Sequence, residues 1–259
     1  MRLQGKVALI TGGGRGIGRA IALAFAQAGA DVAVAARTQA EIEAVAEEVS
    51  ASGRRACAVV SDVTKQESVV RMAAAVQEQL GHVDILVNNA GTGRSAPFFK
   101  TDLEMWNGML ALNATSMYLV SQALLPGMLA RKHGRVINIV STAGKIPFRY
   151  CTAYVASKHA ALGFTRALAL EMAGSGVTVN AICPGWVGST GLFEETIANI
   201  VKTTGRDATV AVKALADMSP LRRVMEPEEI AHVALMLAAD EAGGVNGQGI
   251  NVCGGSVMD

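Results

Sequence analysis

The stretch Tyr-Val-Ala-Ser-Lys at 154–158 puts a phenol, Tyr154, and an amine, Lys158, four residues apart. On a helix, residues i and i+4 share a face about one turn apart. An ammonium held there favours the ionised form of a neighbouring phenol, whose ordinary pKa is about 10. Tyrosine so placed becomes a usable proton donor or acceptor near neutral pH. The same spacing is common on solvated helices, so the rest of the chain has to decide what it means.

A second group of residues answers a different chemical need. Thr11-Gly12-Gly13-Gly14-Arg15-Gly16-Ile17-Gly18 lies where an apolar run, 6–11, gives way to a helical pattern carried by Ile17, Ile21, Ala24, Phe25 and Ala28. Glycines at a strand-to-helix junction let the backbone turn tightly and approach a pyrophosphate, and the helix N-terminus offers unpaired N–H groups. In such a unit the end of the second strand selects the dinucleotide: a carboxylate there holds the ribose hydroxyls of NAD, and an arginine accommodates a 2′-phosphate. That strand ends Ala35-Ala36-Arg37-Thr38, with no carboxylate. Arg37, with Arg15 as a second cation, therefore points to NADP(H), the competing reading being two ordinary surface arginines.

Positioning these groups falls to an alternation of short apolar runs with helical patterns. Runs at 6–11, 31–36, 56–60, 84–87, 135–140, 177–183 and 248–252 read as seven strands, mostly continuous Val, Ile, Ala and Leu. Such runs mark parallel strands covered on both faces. The fold class is therefore α/β: a doubly wound, Rossmann-type, seven-stranded parallel sheet with helices on both faces. No repeat, low-complexity tract or linker divides the chain, so 1–259 reads as one dinucleotide-binding and catalytic domain. The region 188–220 is the least strand-like, with Gly188, Gly191 and Gly205 as hinge points. It reads as one or two helices overhanging the ligand crevice, a substrate lid, against the plainer alternative of a surface helix pair.

Composition excludes several other classes. The 259 residues are 51% apolar and 17% charged, which suits a large core and not disorder. A formal charge of +1 gives no reason to expect nucleic acid or an anionic membrane as partner. Cys57, Cys151, Cys183 and Cys253 are scattered, fitting reduced thiols and no metal site. His82, His133, His159 and His232 have no ligand spacing either. With no signal peptide before Val7, the cytosol is the expected compartment. The uncharged stretch between Glu104 and Arg131 carries too many polar residues for a membrane span and reads as a helix buried in the domain or at a subunit interface.

Taken in order, Thr-Gly-x-x-x-Gly-x-Gly at 11–18, Asn88-Asn89-Ala90-Gly91, Asn113, Ser141, Tyr154-x-x-x-Lys158 and Pro184-Gly185 make the sequence resemble a single-domain short-chain dehydrogenase/reductase along nearly its whole length. The resemblance implies a sheet order three-two-one-four-five-six-seven and usually a homotetramer. It implies that Tyr154 exchanges the proton with the substrate oxygen, that Ser141 hydrogen-bonds that oxygen, and that Lys158 binds the nicotinamide ribose while keeping the tyrosine pKa low. Asn113 would hold a water linking Lys158 to solvent. Besides Gly12, Gly14, Arg15, Gly16, Ile17, Gly18 and Arg37, the coenzyme would meet Asp62, Val63, Asn89, Ala90, Gly91, Pro184, Gly185, Val187 and Ser189. Ser189 stands where the family often has threonine, with Thr190 next to it.

Negative charge built on a carbonyl oxygen by hydride transfer is stabilised by donors already aimed at it, and Ser141 and Tyr154 can both donate. The hydride must come from the coenzyme, since no side chain supplies one. Tyr150 has no lysine four residues on and is assigned to the pocket lining. Trp186 and Phe193 are read as substrate contacts or as packing. Cys-Pro-Gly-Trp-Val at 183–187 and Asn-Val-Cys-Gly-Gly at 251–255 are similar to stretches in polyketide ketoreductases, the former also to 3-hydroxybutyrate dehydrogenases, and the overall pattern resembles 3-oxoacyl-carrier-protein reductases. The expected activity is NADP(H)-dependent interconversion of a ketone and a secondary alcohol, a 3-oxoacyl thioester or polyketide-like ketone. Rival readings are an NAD-dependent secondary-alcohol or 3-hydroxy-acid dehydrogenase and a dinucleotide-binding regulator without turnover.

Overall fold

The computed structural model describes residues 2–258. Seven parallel strands form one sheet: β1 (Val7–Thr11), β2 (Asp31–Ala36), β3 (Ala56–Val60), β4 (Ile85–Asn88), β5 (Gly134–Ile139), β6 (Val177–Pro184) and β7 (Gly249–Val252). They run in the order β3-β2-β1-β4-β5-β6-β7, the doubly wound arrangement expected. The order reverses direction between β1 and β4, paired through Ala8↔Ile85, Leu9↔Leu86 and Ile10↔Val87. A crevice opens at such a switch point, beyond the carboxyl ends of the strands.

Side chains alternate along each strand, which explains why the runs are apolar throughout. From β1, Ala8 and Ile10 enter a core shared with Ile21 and Phe25 of α1 (Gly16–Gln27), Ile42 and Val45 of α2 (Gln39–Ala51), and Ile230 and Leu237 further along the chain. Val7 and Leu9 face the opposite side. There they join Met72 and Val76 of α3 (Gln66–Leu80) and residues of the segment that follows β4. That segment comprises α4 (Leu103–Leu110), a π-helical turn at Ala111–Thr115, and α5 (Ser116–Arg131). Val120, Leu125 and Met128 of α5 are buried, while Tyr118 and Leu129 face solvent. The uncharged stretch is thus a broken helix lying on the sheet. Among the described residues, no helix is long and apolar enough to cross a membrane.

Between β5 and β6 runs α6 (Thr152–Glu171), the longest helix described. Residues 188–220 form two helices, α7 (Gly191–Thr204) and α8 (Ala208–Ala216). Gly205 closes α7 at φ 68, a left-handed C-terminal cap that glycine adopts without strain. The last helix, α9 (Pro227–Ala238), starts with a capping box between Glu226 and Glu229 and packs along α1.

Ion pairs gather at the opposite end of the sheet, where the strands begin. Lys6, just before β1, lies 3.3 Å from Asp240 and 3.0 Å from the His133 ring. Arg54 meets Asp31 at 2.9 Å, and Arg131 meets Asp84 at 3.5 Å. Burial lowers the His133 pKa below its usual value, with Lys6 and Arg135 adding to the effect.

Candidate active site

The glycine-rich loop is shaped by contacts that leave no room for side chains. Gly12 and Gly16 have φ of 63 and 53. A Cβ on Gly12 would lie 2.9 Å from Asn89 Nδ2, and one on Gly13 2.7 Å from Val34 Cγ1. A Cβ on Gly18 would overlap the Gly12 carbonyl oxygen and come within 2.6 Å of Asn89 Nδ2. The Asn89 amide donates to the carbonyls of Thr11 and Gly12, each at 3.0 Å, so this side chain braces the loop against β4. Thr11, the first residue of the motif, to which the sequence alone assigned no role, joins in. Its Oγ1 accepts from the N–H groups of Asn89 at 3.0 Å and Ala90 at 3.1 Å.

Across the switch point, α6 delivers Tyr154 and Lys158 on one face. The Lys158 Nζ lies 5.9 Å from the centre of the Tyr154 ring and donates to the Ile139 carbonyl at 3.2 Å. Ser141, just past β5, interacts with the phenol and lowers its pKa. Desolvation outweighs that effect and pushes Tyr154 up to about 12. Burial likewise brings Lys158 down to about 8, with Cys183 pulling the other way. Burial is thus the dominant influence on both groups. Within the protein alone, the tyrosine is held as the neutral acid.

Asn113 lies in the π-helical turn and is fully buried. Its Oδ1 accepts from Thr92 N at 3.0 Å, and its Nδ2 donates to Thr92 O at 2.9 Å and to Ser157 Oγ at 3.0 Å. The side chain thus clamps the loop after β4. A π turn inside a helix leaves backbone groups out of the regular ladder, a common feature of functional sites. Gly91 lines the same hollow: a Cβ there would stand 3.0 Å from Asn113 Oδ1 and 3.5 Å from Lys158 Nζ.

The remaining residues define the coenzyme end. Asp62 accepts from Thr64 Oγ1 at 2.7 Å, which holds its carboxyl below the usual range, and Arg37 adds to this from nearby. Val63 beside it is buried. Arg15 lies 3.7 Å from Glu41, which the first turn of α2 brings against Gly14. A carboxylate therefore does stand near the dinucleotide crevice, four residues past the position where the strand-end rule looks for one. Ile17 is half-buried at the start of α1. Pro184 ends β6 opposite Val252, and Gly185 N donates to the Val252 carbonyl at 3.0 Å. Val187 is buried, and its carbonyl accepts from Thr190 Oγ1 at 2.9 Å. Ser189 is exposed at φ 53, whereas the Thr190 methyl would meet a Cβ on Gly16 at 3.2 Å. The hydroxyl residue packed on the glycine loop is Thr190. Leu192 of α7 and the Tyr154 ring converge on Gly93, whose hypothetical Cβ lies 2.9 Å from one and 3.4 Å from the other. Phe193 is buried towards α8, Trp186 is half-buried, and Tyr150 is largely exposed beneath the Arg149 guanidinium.

The sequence profile described as short chain dehydrogenase matches residues 6–200. The chain belongs to the short-chain dehydrogenase family. It is 38% identical over 258 residues to the 3-oxoacyl-acyl-carrier-protein reductase of Pseudomonas aeruginosa, covering 100% of each chain. To the oxidoreductase UcpA of Escherichia coli O157:H7 it is 38% identical, covering 99% of this chain and 96% of that one. Among solved structures, a substituted actinorhodin polyketide ketoreductase bound to NADPH superposes with a TM-score of 0.93 at 35% identity, covering 97% of each chain. For this short-chain dehydrogenase, the family profile takes in the glycine loop, Asn113, Ser141, Tyr154, Lys158 and the start of α7.

Proposed function

We propose that this short-chain dehydrogenase is an NADPH-dependent reductase of ketones, acting on a 3-oxoacyl thioester or a polyketide-like ketone. The observation that carries this reading is the meeting of a neutral Tyr154, Ser141 and Lys158 beside a glycine-built phosphate cradle. The residues fit the coenzyme. Lys158 spends one of its three donors on Ile139 and lies close to Gly91, leaving two donors that can hold a ribose hydroxyl. Bound nicotinamide supplies the hydride.

With the coenzyme bound, the carbonyl carbon would take the hydride and the C=O π pair would move onto oxygen. Ser141 and Tyr154 donate hydrogen bonds to that oxygen, and the Tyr154 proton passes to it, giving the secondary alcohol. Lys158 then faces a phenolate, which its ammonium stabilises until solvent restores the proton. A phenol held near 12 keeps its proton at neutral pH and is ready to donate it. Arg37 and Arg15 flank the place for the 2′-phosphate, and Asp62 and Val63 that for the adenine. The Val187 backbone would meet the carboxamide end, and α7 and α8 would cover the substrate. The exposed Tyr118, Leu129 and Leu170 give α5 and α6 the apolar surface for a homotetramer, and we place the enzyme in the cytosol.

The test is a panel of acyl thioesters, cyclic ketones and aromatic ketones, with NADPH consumption followed by absorbance. Tyr154→Phe should lose about 10²- to 10⁴-fold in turnover while still binding NADPH. Near-native turnover by that variant overturns the assignment. Titration should show NADPH bound more tightly than NADH, with the preference reduced about tenfold or more in Arg37→Ala. Tighter NADH binding by the native protein overturns the coenzyme assignment.

A further inference from the structure

Ser157, the fourth residue of Tyr-Val-Ala-Ser-Lys, is fully buried and joins two parts of the site. Its hydroxyl donates to the Tyr154 carbonyl at 2.7 Å and accepts from Asn113 Nδ2 at 3.0 Å. The direction of each bond is fixed by the rest of the network. Thr92 presents an N–H to Asn113 Oδ1 and a carbonyl to Nδ2, which sets the Asn113 amide and makes Nδ2 the donor towards Ser157. The hydroxyl has one proton, and the Tyr154 carbonyl takes it. A continuous path of hydrogen bonds therefore runs from the loop after β4, through the π-helical turn, to the backbone of Tyr154.

We propose that Ser157 is a positioning residue for Tyr154, locking the turn of α6 that carries the phenol to the Asn113–Thr92 clamp. The inference rests on the ketone-reductase reading and assigns the site a residue beyond Tyr154, Ser141, Lys158 and Asn113. A serine that bonds back to a carbonyl one turn earlier draws that carbonyl off the helix axis and bends the helix locally. Here the back-bond lies in the turn between Tyr154 and Lys158, so it sets how far the phenol lies from the amine and from Ser141. Because Asn113 holds the other side of the hydroxyl, α6 cannot rotate about this turn without breaking a buried bond. A proton donor displaced by about 1 Å loses rate steeply, since transfer needs alignment as well as proximity. The glycine loop, which cradles the coenzyme phosphates, is braced by Thr11 and Asn89 independently of Ser157.

The experiment compares Ser157→Ala and Ser157→Thr with the native enzyme on the best ketone from the panel. For each, kcat and KM are measured alongside the NADPH dissociation constant, read from coenzyme fluorescence without ketone. Ser157→Ala should lower kcat about tenfold or more, leave NADPH binding within about twofold, and change KM little. Ser157→Thr, which restores the hydroxyl, should recover kcat to within about threefold. A Ser157→Ala enzyme with native kcat overturns the proposal. So does an alanine variant whose kcat and NADPH affinity fall together, because that reports general loosening. Should the alanine variant not fold, Ser157→Cys replaces it with the same expectations, a thiol being the weaker hydrogen-bonding group. Failure of the native enzyme to reduce any ketone would instead refute the functional reading.

Discussion

Lys158 offers a separation of stability from chemistry that can be measured. Its ammonium is buried, and its pKa falls from 10.5 to about 8. At about 1.36 kcal/mol per pH unit, keeping it charged in the folded protein costs about 3 kcal/mol near neutral pH. Lys158→Met removes the charge at similar volume but also strips the Ile139 carbonyl of its donor. That loss costs about 1–2 kcal/mol, leaving a net gain of about 1–2 kcal/mol and a Tm rise of roughly 2–8 °C for a chain of this size. The sign depends on pH. Between about 8 and 10.5 the unfolded chain binds more protons at this site than the folded one, so native stability rises with pH across that window. The methionine variant lacks this rise, and its advantage should shrink as pH increases through the window. Urea unfolding of coenzyme-free protein, followed by tryptophan fluorescence at several pH values, reads both effects, and the same variant should reduce no ketone. A variant less stable than native at neutral pH, or an advantage constant up to pH about 10, would refute the reasoning.

Other substitutions test the cradle and the fold around it. Gly18→Ala forces a methyl against the Gly12 carbonyl and Asn89 Nδ2; NADPH titration should show binding largely lost, and native-like affinity would contradict the packing described. Thr11→Val takes the acceptor from two N–H groups and should destabilise the protein by about 1–3 kcal/mol in urea, with weaker NADPH binding. Glu229, bonded to Arg223 at 2.7 Å and to Glu226 N at 2.8 Å, has its pKa lowered from 4.5 to about 2. Its contribution is present above pH about 4.5 and fades as pH falls towards 2, so Glu229→Gln should narrow the difference in Tm between neutral and acid buffer.

The parallel sheet was legible because burial on both faces leaves a direct trace: Val7 and Leu9 serve one core and Ala8 and Ile10 the other, so nothing in β1 can be polar before Thr11. Gly12, Tyr154 and Lys158 could be found because each acts within a short stretch whose spacing carries the geometry. What escaped the sequence depends on distant partners. Desolvation of Tyr154 comes from everything packed around it, and no i+4 neighbour discloses that. Glu41 reaches Arg15 because α2 folds back on the glycine loop. Ser157 looks like an ordinary small residue in a helix until Asn113, 44 positions earlier, is placed against it. That the Thr190 methyl lies against Gly16 while Ser189 is exposed goes with a left-handed Ser189 at φ 53, which spacing does not encode.

With all seven strands running one way, the molecule has a working end and a foundation. Turnover is assigned to the loops beyond Thr11, Asn88 and Ile139, while Lys6, Asp31, Asp84, Arg131 and Asp240 tie together the other rim, a full strand length away. Durability can therefore be engineered at that rim, by redesigning its charges, without disturbing what happens at the mouth.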